Sequence, residues 1–347
     1  MVFAAALLVL MTAGVLYQTI GARRSARLHV CPGTLIDAGG RRLHVVTAGT
    51  GTPAVVFEAG IAASSLSWAH VLPEIAKTTR ACAYDRAGLA WSDPCPKPHA
   101  LADILADLDK VVANARIPHP FVMVGHSFGC FVACAYAARR PSAVAGLVLV
   151  DPPATSEWHE PTPQRRRLLR RGIRLSHAGG VLARLGVVRA SLALLTGGAP
   201  RVPGTLIKTL GPTAAGKLHH LVAEVRKLPP EIHPLVQAHW SDPKCFGALA
   251  AHLRMLEEAA AFVASLRALP DVPLAVISSG ELSAAQMAEH RELARLSSNG
   301  RHVVAERSGH WILFDEPQLV VAAIRGMVDD LRAGRSSPQD LVEGQSA

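Results

Sequence analysis

The chain has 347 residues, half of them hydrophobic and only 18% charged, which excludes a disordered chain and leaves room for one large domain or two small ones. A formal net charge of +9 suits an anionic partner; the few aromatics and the lack of a nucleic-acid-binding module exclude nucleic acid and leave an anionic membrane. The six cysteines lie far apart with no C-x-x-C pair, so neither a zinc site nor a disulfide framework is implied.

Residues 2–22 carry no charge, and Arg23, Arg24 and Arg27 follow them. An uncharged run of this length can span a bilayer. A cleaved signal peptide would carry basic residues before the run and a small-x-small site after it. The first is missing and the second is poor, so residues 1–27 read as a retained single-pass anchor. Because the arginines follow the span, the positive-inside rule keeps the main domain cytoplasmic; basic residues upstream of Met1 would reverse that, and the side stays open.

Strand patterns begin at Thr34. Residues 34–37 and 41–47 read as a hairpin through Gly39-Gly40, and 54–58 as a buried strand ending in Ala59-Gly60-Ile61-Ala62. A strand that ends in a glycine turn can aim a backbone N–H into a site, and Ile61 is the candidate. Residues 66–79 read as a helix and 80–84 as a strand. Asp85 and Arg86 follow, read as structural charges that pair with each other or brace the loop. Over 101–116, Leu101, Ile104, Leu105, Leu108, Val111 and Val112 fall on one helical face.

The stretch from Phe121 to Arg140 carries the chemistry. Four apolar residues form a short strand, then comes Gly125-His126-Ser127-Phe128-Gly129, then an alanine-rich helix. Strand, G-x-S-x-G turn and helix make a nucleophile elbow, which strains Ser127 and lifts its hydroxyl clear of the sheet. The helix start aims backbone N–H groups and the positive end of its dipole at an oxygen taking up charge. The N–H of Phe128, with that of Ile61, would form the oxyanion hole.

Residues 144–150 form another buried strand, ending at Asp151-Pro152-Pro153. The alternation predicts a mostly parallel sheet with helices on both faces and its site at the carboxyl ends of the strands. From 154 to 268 the alternation stops and a helical insertion reads as a cap. Its stretch 165–189 holds eight arginines and no Asp or Glu, with leucines interleaved, which suits either an anionic bilayer surface or a solvated cap face. Sheet pattern returns at 272–278. A helix follows to about Ser297, then a last strand at 301–306 leads into Ser308-Gly309-His310-Trp311. A final helix runs from Pro317 to about Arg332, before a polar tail at 334–347.

A serine nucleophile needs a base, commonly a histidine held by a carboxylate. His310 is the candidate because it follows the last strand at the carboxyl edge of the sheet. His126 is next to the serine, but its side chain should point into the wall of the site.

The stretches EAGIAASSLSW (58–68), YDRAGLAWSDP (84–94), GHSFG (125–129), LVLVDPP (147–153) and SGHW (308–311) resemble the α/β-hydrolase superfamily, in the same order along the chain. The resemblance implies an α/β-hydrolase fold with core segments 28–153 and 269–333, the cap 154–268 between them, and a cofactor-free Ser-His-acid hydrolase. Most members carry the acid in the loop after the strand equivalent to 272–278, where this chain has Ser283. Two carboxylates remain: Asp151, where certain haloalkane dehalogenases carry theirs, and Glu281, slightly early in the customary loop. Dehalogenases and epoxide hydrolases of the superfamily use an aspartate nucleophile, so Ser127 points instead to acyl transfer onto water. The expected substrate is a small-molecule carboxylic ester or related acyl compound, lipid-like ones included. The alternative is a non-catalytic ligand-binding protein on the same fold.

Overall fold

The computed structural model describes residues 2–29, 31–95, 99–196 and 223–335. Eight strands form one sheet in the order β1-β2-β4-β3-β5-β6-β7-β8. The first hairpin, β1 (Thr34–Asp37) and β2 (Arg42–Ala48), is antiparallel, and β2 runs antiparallel to β4 (Ala81–Tyr84). Gly39 and Gly40 take the hairpin turn at φ 82° and 85°, which a side chain would resist. The other strands, β3 (Val55–Glu58), β5 (Phe121–His126), β6 (Val144–Val150), β7 (Leu274–Ser279) and β8 (Gly300–Ala305), run parallel to one another and to β4.

Side chains alternate across a strand, and the core shows it. Val56, Met123, Leu147, Leu149 and Val276 pack on one face, beneath α3 (Leu101–Asn114) and α4 (Phe128–Arg139). Val55, Phe57, Val122, Val124, Val148, Val150 and Ile277 pack on the other. Here the cover is α2 (Leu72–Ala76) together with the C-terminal helix, Pro317–Arg332. With both faces covered, the parallel strands read as nearly continuous apolar runs.

One local reading changes. The helix expected over 66–79 is a 3₁₀ turn, Ser65–Trp68, followed by the short α2. Pro73 sits in the first turn of α2; a longer helix would need the N–H that proline lacks. A one-turn helix, Ile312–Asp315, also follows the last strand loop directly.

Among the described residues of 154–268 there is no strand. The helices are α5 (Thr155–His159), α6 (Pro163–Arg184), α7 (Val187–Thr196), α8 (His233–Trp240) and α9 (Pro243–Ser265). The long pair α6 and α9 lie against each other, and α9 also packs on α4, which seats the insertion over the elbow. Both begin with a proline in the first turn behind a side-chain cap: Thr162 Oγ1 accepts from Arg165 N–H and Asp242 from Lys244 N–H.

The apolar N-terminal run forms α1 (Val2–Leu28), long and apolar enough to cross a membrane. It is not free of the rest of the chain. Gln18 is buried, donates to the Ser241 carbonyl at 3.0 Å and accepts from Arg189 Nε at 3.0 Å.

Candidate active site

Ser127 joins β5 to α4 with φ 53° and ψ −125°, a backbone conformation a residue with a Cβ adopts only when its surroundings hold it there. Its N–H donates to the Val150 carbonyl at 2.9 Å, and its carbonyl accepts from Cys130 N–H at 2.8 Å. The flanking glycines are a steric requirement. A Cβ at Gly125 would sit 2.6 Å from the Gly129 carbonyl oxygen, and one at Gly129 would sit 2.7 Å from that of Ala59. The serine is half-buried, and its hydroxyl has no hydrogen bond among the described residues.

Asp151 lies one residue past β6 at φ 45° and is 4% exposed. Its Oδ1 accepts from Ser279 N–H at 3.0 Å, and its Oδ2 accepts from His310 Nδ1 at 2.6 Å. The second candidate, Glu281, is exposed and makes no hydrogen bond to His310; its Oε2 lies 3.2 Å from where a Cβ of Gly309 would be. Behind Asp151 runs a chain of polar groups that the sequence did not reveal. His290 Nε2 donates to the Pro152 carbonyl at 2.8 Å, which leaves Nδ1 to accept from Ser278 Oγ at 2.6 Å. Ser278 Oγ in turn accepts from His302 Nε2 at 2.7 Å. Burial lowers both imidazoles, His302 to about 4, so the chain is neutral and its donors are fixed.

His126 is fully buried and reaches the loop after β8. Its Nε2 donates to the His310 carbonyl at 3.0 Å, and its ring packs on those of His310 and Trp311, with centroids 5.0 and 5.2 Å away. Burial, helped by the neighbouring His310, lowers it to about 3, so it works as a neutral brace. The side chain thus points into the wall of the site, and it ties the elbow to the loop carrying His310.

The loop after β3 comes close to the serine: a Cβ on Gly60 would stand 3.4 Å from Ser127 Cβ. The N–H groups of Ile61, in this loop, and of Phe128, at the start of α4, have no acceptor among the described residues. Arg86 holds the loop from beneath. Its guanidinium pairs with Glu58 and donates to the carbonyls of Ala59 (2.8 Å) and Gly60, while Tyr84 donates to the same Glu58. All three side chains are buried. Burial raises the Glu58 carboxyl against the pull of Arg86, and burial beside Glu58 pushes the Tyr84 hydroxyl well above its usual value. Asp85 and Arg86 do not pair with each other, because side chains at successive positions of the strand end point to opposite sides. Asp85 instead accepts from His44 Nδ1 and from Ser65 N–H, both at 2.7 Å. From the cap side, His252 Nδ1 accepts from Ala62 N–H at 3.4 Å, and its ring stacks on Phe128.

Next to this loop is a small apolar cavity of ≈ 50 Å³, lined by Ala62, Leu66, Leu228, Val236, Trp311 and Phe314 among others. It lies between the loop after β3, the cap and the residue after His310. Among the described residues, no group of three or more His, Cys, Asp or Glu side chains is arranged to hold a metal ion.

A parallel sheet with a serine on a strained strand-to-helix turn, and a carboxylate and a histidine at neighbouring strand ends, is the architecture of the α/β-hydrolase fold, and the chain has that fold. The sequence profile described as alpha/beta hydrolase fold matches residues 53–184. Among curated relatives, a Mycobacterium phage D29 protein named as a non-heme haloperoxidase is 34% identical over 128 residues, 37% of this chain and 45% of that protein. A Klebsiella pneumoniae protein named as the carbamate hydrolase RutD is 31% identical over 134 residues, 38% of this chain and 48% of that one. The chain spans less than half the length of the curated relatives it matches. Solved structures share the fold at low identity. A thermophilic esterase from Thermogutta terrifontis gives a TM-score of 0.60 at 21% identity, covering 86% of this chain and 98% of that one. The enol-lactonase from Burkholderia xenovorans LB400 gives 0.58 at 17%, covering 85% and 100%.

Proposed function

We propose that this protein is a serine hydrolase that cleaves a carboxylic ester, or a related acyl bond, through an acyl-enzyme. The observation that carries this reading is the 2.6 Å pair of His310 and buried Asp151, set at strand ends beside the strained Ser127. In the proposed cycle His310 takes the proton of Ser127 as its oxygen attacks the carbonyl. Asp151 holds the imidazole in the tautomer with Nδ1–H and stabilises the imidazolium. The unpartnered N–H groups of Phe128 and Ile61 receive the oxyanion. His310 then protonates the leaving group and activates the water that releases the acid. The contact between Ser127 and His310 closes when substrate binds, as hydrogen bonds in unliganded sites of this kind commonly do. The apolar cavity supports an uncharged acyl group facing Trp311 and Phe314.

The alternative, a binding protein without catalysis, drew its support from the missing carboxylate at Ser283. Asp151 at 2.6 Å from His310 weighs against it. The deciding experiment is labelling of the folded protein with a fluorophosphonate probe. Wild type is expected to react and Ser127→Ala to stay unlabelled; equal labelling of both, or none of the wild type, would end the hydrolase reading. We further propose that α1 attaches the protein to a membrane, on the strength of its length, its apolar sequence and its exposed surface.

A further inference from the structure

Helix α6 buries one side, through Leu169, Ser176, Gly180 and Ala183, and leaves the other to solvent. On that outer side Leu168, Leu175 and Leu182 are 57%, 48% and 39% exposed. A seven-residue spacing, close to two helical turns, lines them up along the helix. Beside the line stand exposed Arg167, Arg170, Arg171 and Arg174, none of them ion-paired among the described residues, on a helix with no acidic side chain. Water alone is a poor environment for this surface: it leaves four like charges to repel one another around three bare leucines.

The second observation is where α1 sits. It packs on this same cap along a single line of residues: Gly14 abuts the Leu185 carbonyl just past the end of α6, Gln18 is bonded to Ser241, and Gly21 leaves room for Arg189. The rest of α1 stays bare even where it touches the cap, with Val15, Leu16 and Ile20 44%, 55% and 63% exposed. Lipid that covers these residues must reach the cap where α6 ends, at Leu185. We propose that α1 and the outer side of α6 form one docking face for an anionic lipid bilayer. The outer side of α1 lies in the hydrocarbon. The leucines of α6 rest at the acyl boundary, and its arginines lie on lipid phosphates. The cap, which packs over the elbow, is then held at the membrane surface. The inference rests on the proposed attachment through α1 and is independent of the chemistry at Ser127.

The test uses the full chain with Leu175→Cys labelled by an environment-sensitive dye, in a background carrying Cys31→Ser and Cys95→Ser. It is mixed with phosphatidylcholine vesicles, alone or doped with phosphatidylglycerol. On the anionic vesicles the dye is expected to shift to the blue and to be quenched by brominated acyl chains. Replacing Arg167, Arg170, Arg171 and Arg174 with Gln is expected to weaken the preference for anionic over neutral vesicles by ~10²–10³-fold, at roughly fivefold per arginine. No binding to either vesicle overturns the attachment through α1 and this proposal with it. Binding with the dye still in water overturns this proposal alone. So does a dye shielded without vesicles in a particle of twice the mass, since that makes the face a contact between two copies.

Discussion

At residue scale the proposed acid, Asp151, is the informative position. Asp151 bonds Ser279 N–H through one oxygen and His310 through the other, so Asn can keep the first bond and the turn while losing the charge. Asp151→Asn is expected to fold normally and to lose ~10⁴-fold in kcat on an activated ester, because the amide no longer fixes the imidazole tautomer or stabilises its charge. Glu281→Gln is expected to change kcat by less than about threefold, since no bond links it to the imidazole; the reverse pattern would move the acid to Glu281. The strained turn at Ser127 and the place of His310 after the last strand were legible because a glycine-flanked turn and a strand end are local patterns. The work of His126 was not. Its adjacency to the serine was visible, but its partner is a carbonyl 184 residues further on, and only the packed sheet brings the two together.

At the scale of elements, the loop after β3 depends on two side chains from neighbouring strands. The sequence puts a glutamate at the end of β3 and an arginine just after β4, and nothing in either stretch announces the pair. It exists because β3 and β4 are hydrogen-bonded in parallel, which sets Glu58 beside Tyr84 and Arg86. Breaking a buried pair from one side strands the other charge. Arg86→Met is therefore expected to cost about 3–5 kcal/mol in denaturant unfolding, and the added Glu58→Met to recover much of it. Additive losses in this double-mutant cycle would mean the two groups are not coupled. The elbow packs just as closely. Gly129→Ala would press a methyl group onto the Glu58 and Ala59 carbonyls and is expected to cost about 1–3 kcal/mol while displacing the loop after β3. At this scale the strand and helix alternation was readable from apolar periodicity. The seat of α1 on the cap was not, because Gln18 reads as the fading end of an apolar run until Ser241 is placed beside it.

At the scale of the whole molecule, several imidazoles among the described residues are buried without charge. His126 between sheet and last loop, His252 between cap and core, and His239 against Trp91 in the cap are all driven below the ordinary histidine value by burial, His126 to about 3 and His239 to about 4. In the unfolded chain each takes a proton near pH 6.5. Below that value the unfolded state binds more protons than the folded one, so stability must rise with pH in this range and fall as acid is added. The loss starts near 6.5 and continues towards the folded values, at up to about 1.4 kcal/mol per pH unit for each histidine. Melting temperature is therefore expected to be level from pH 8 to about 7 and to drop steeply between about 6 and 5, before carboxylates contribute much. His252→Gln tests the assignment, because an amide can still accept from Ala62 N–H but carries no titrating ring. The variant is expected to start from a lower melting temperature and to lose less of it on acidification. A slope equal to that of wild type would mean that the acid sensitivity comes from groups outside the cap–core seam.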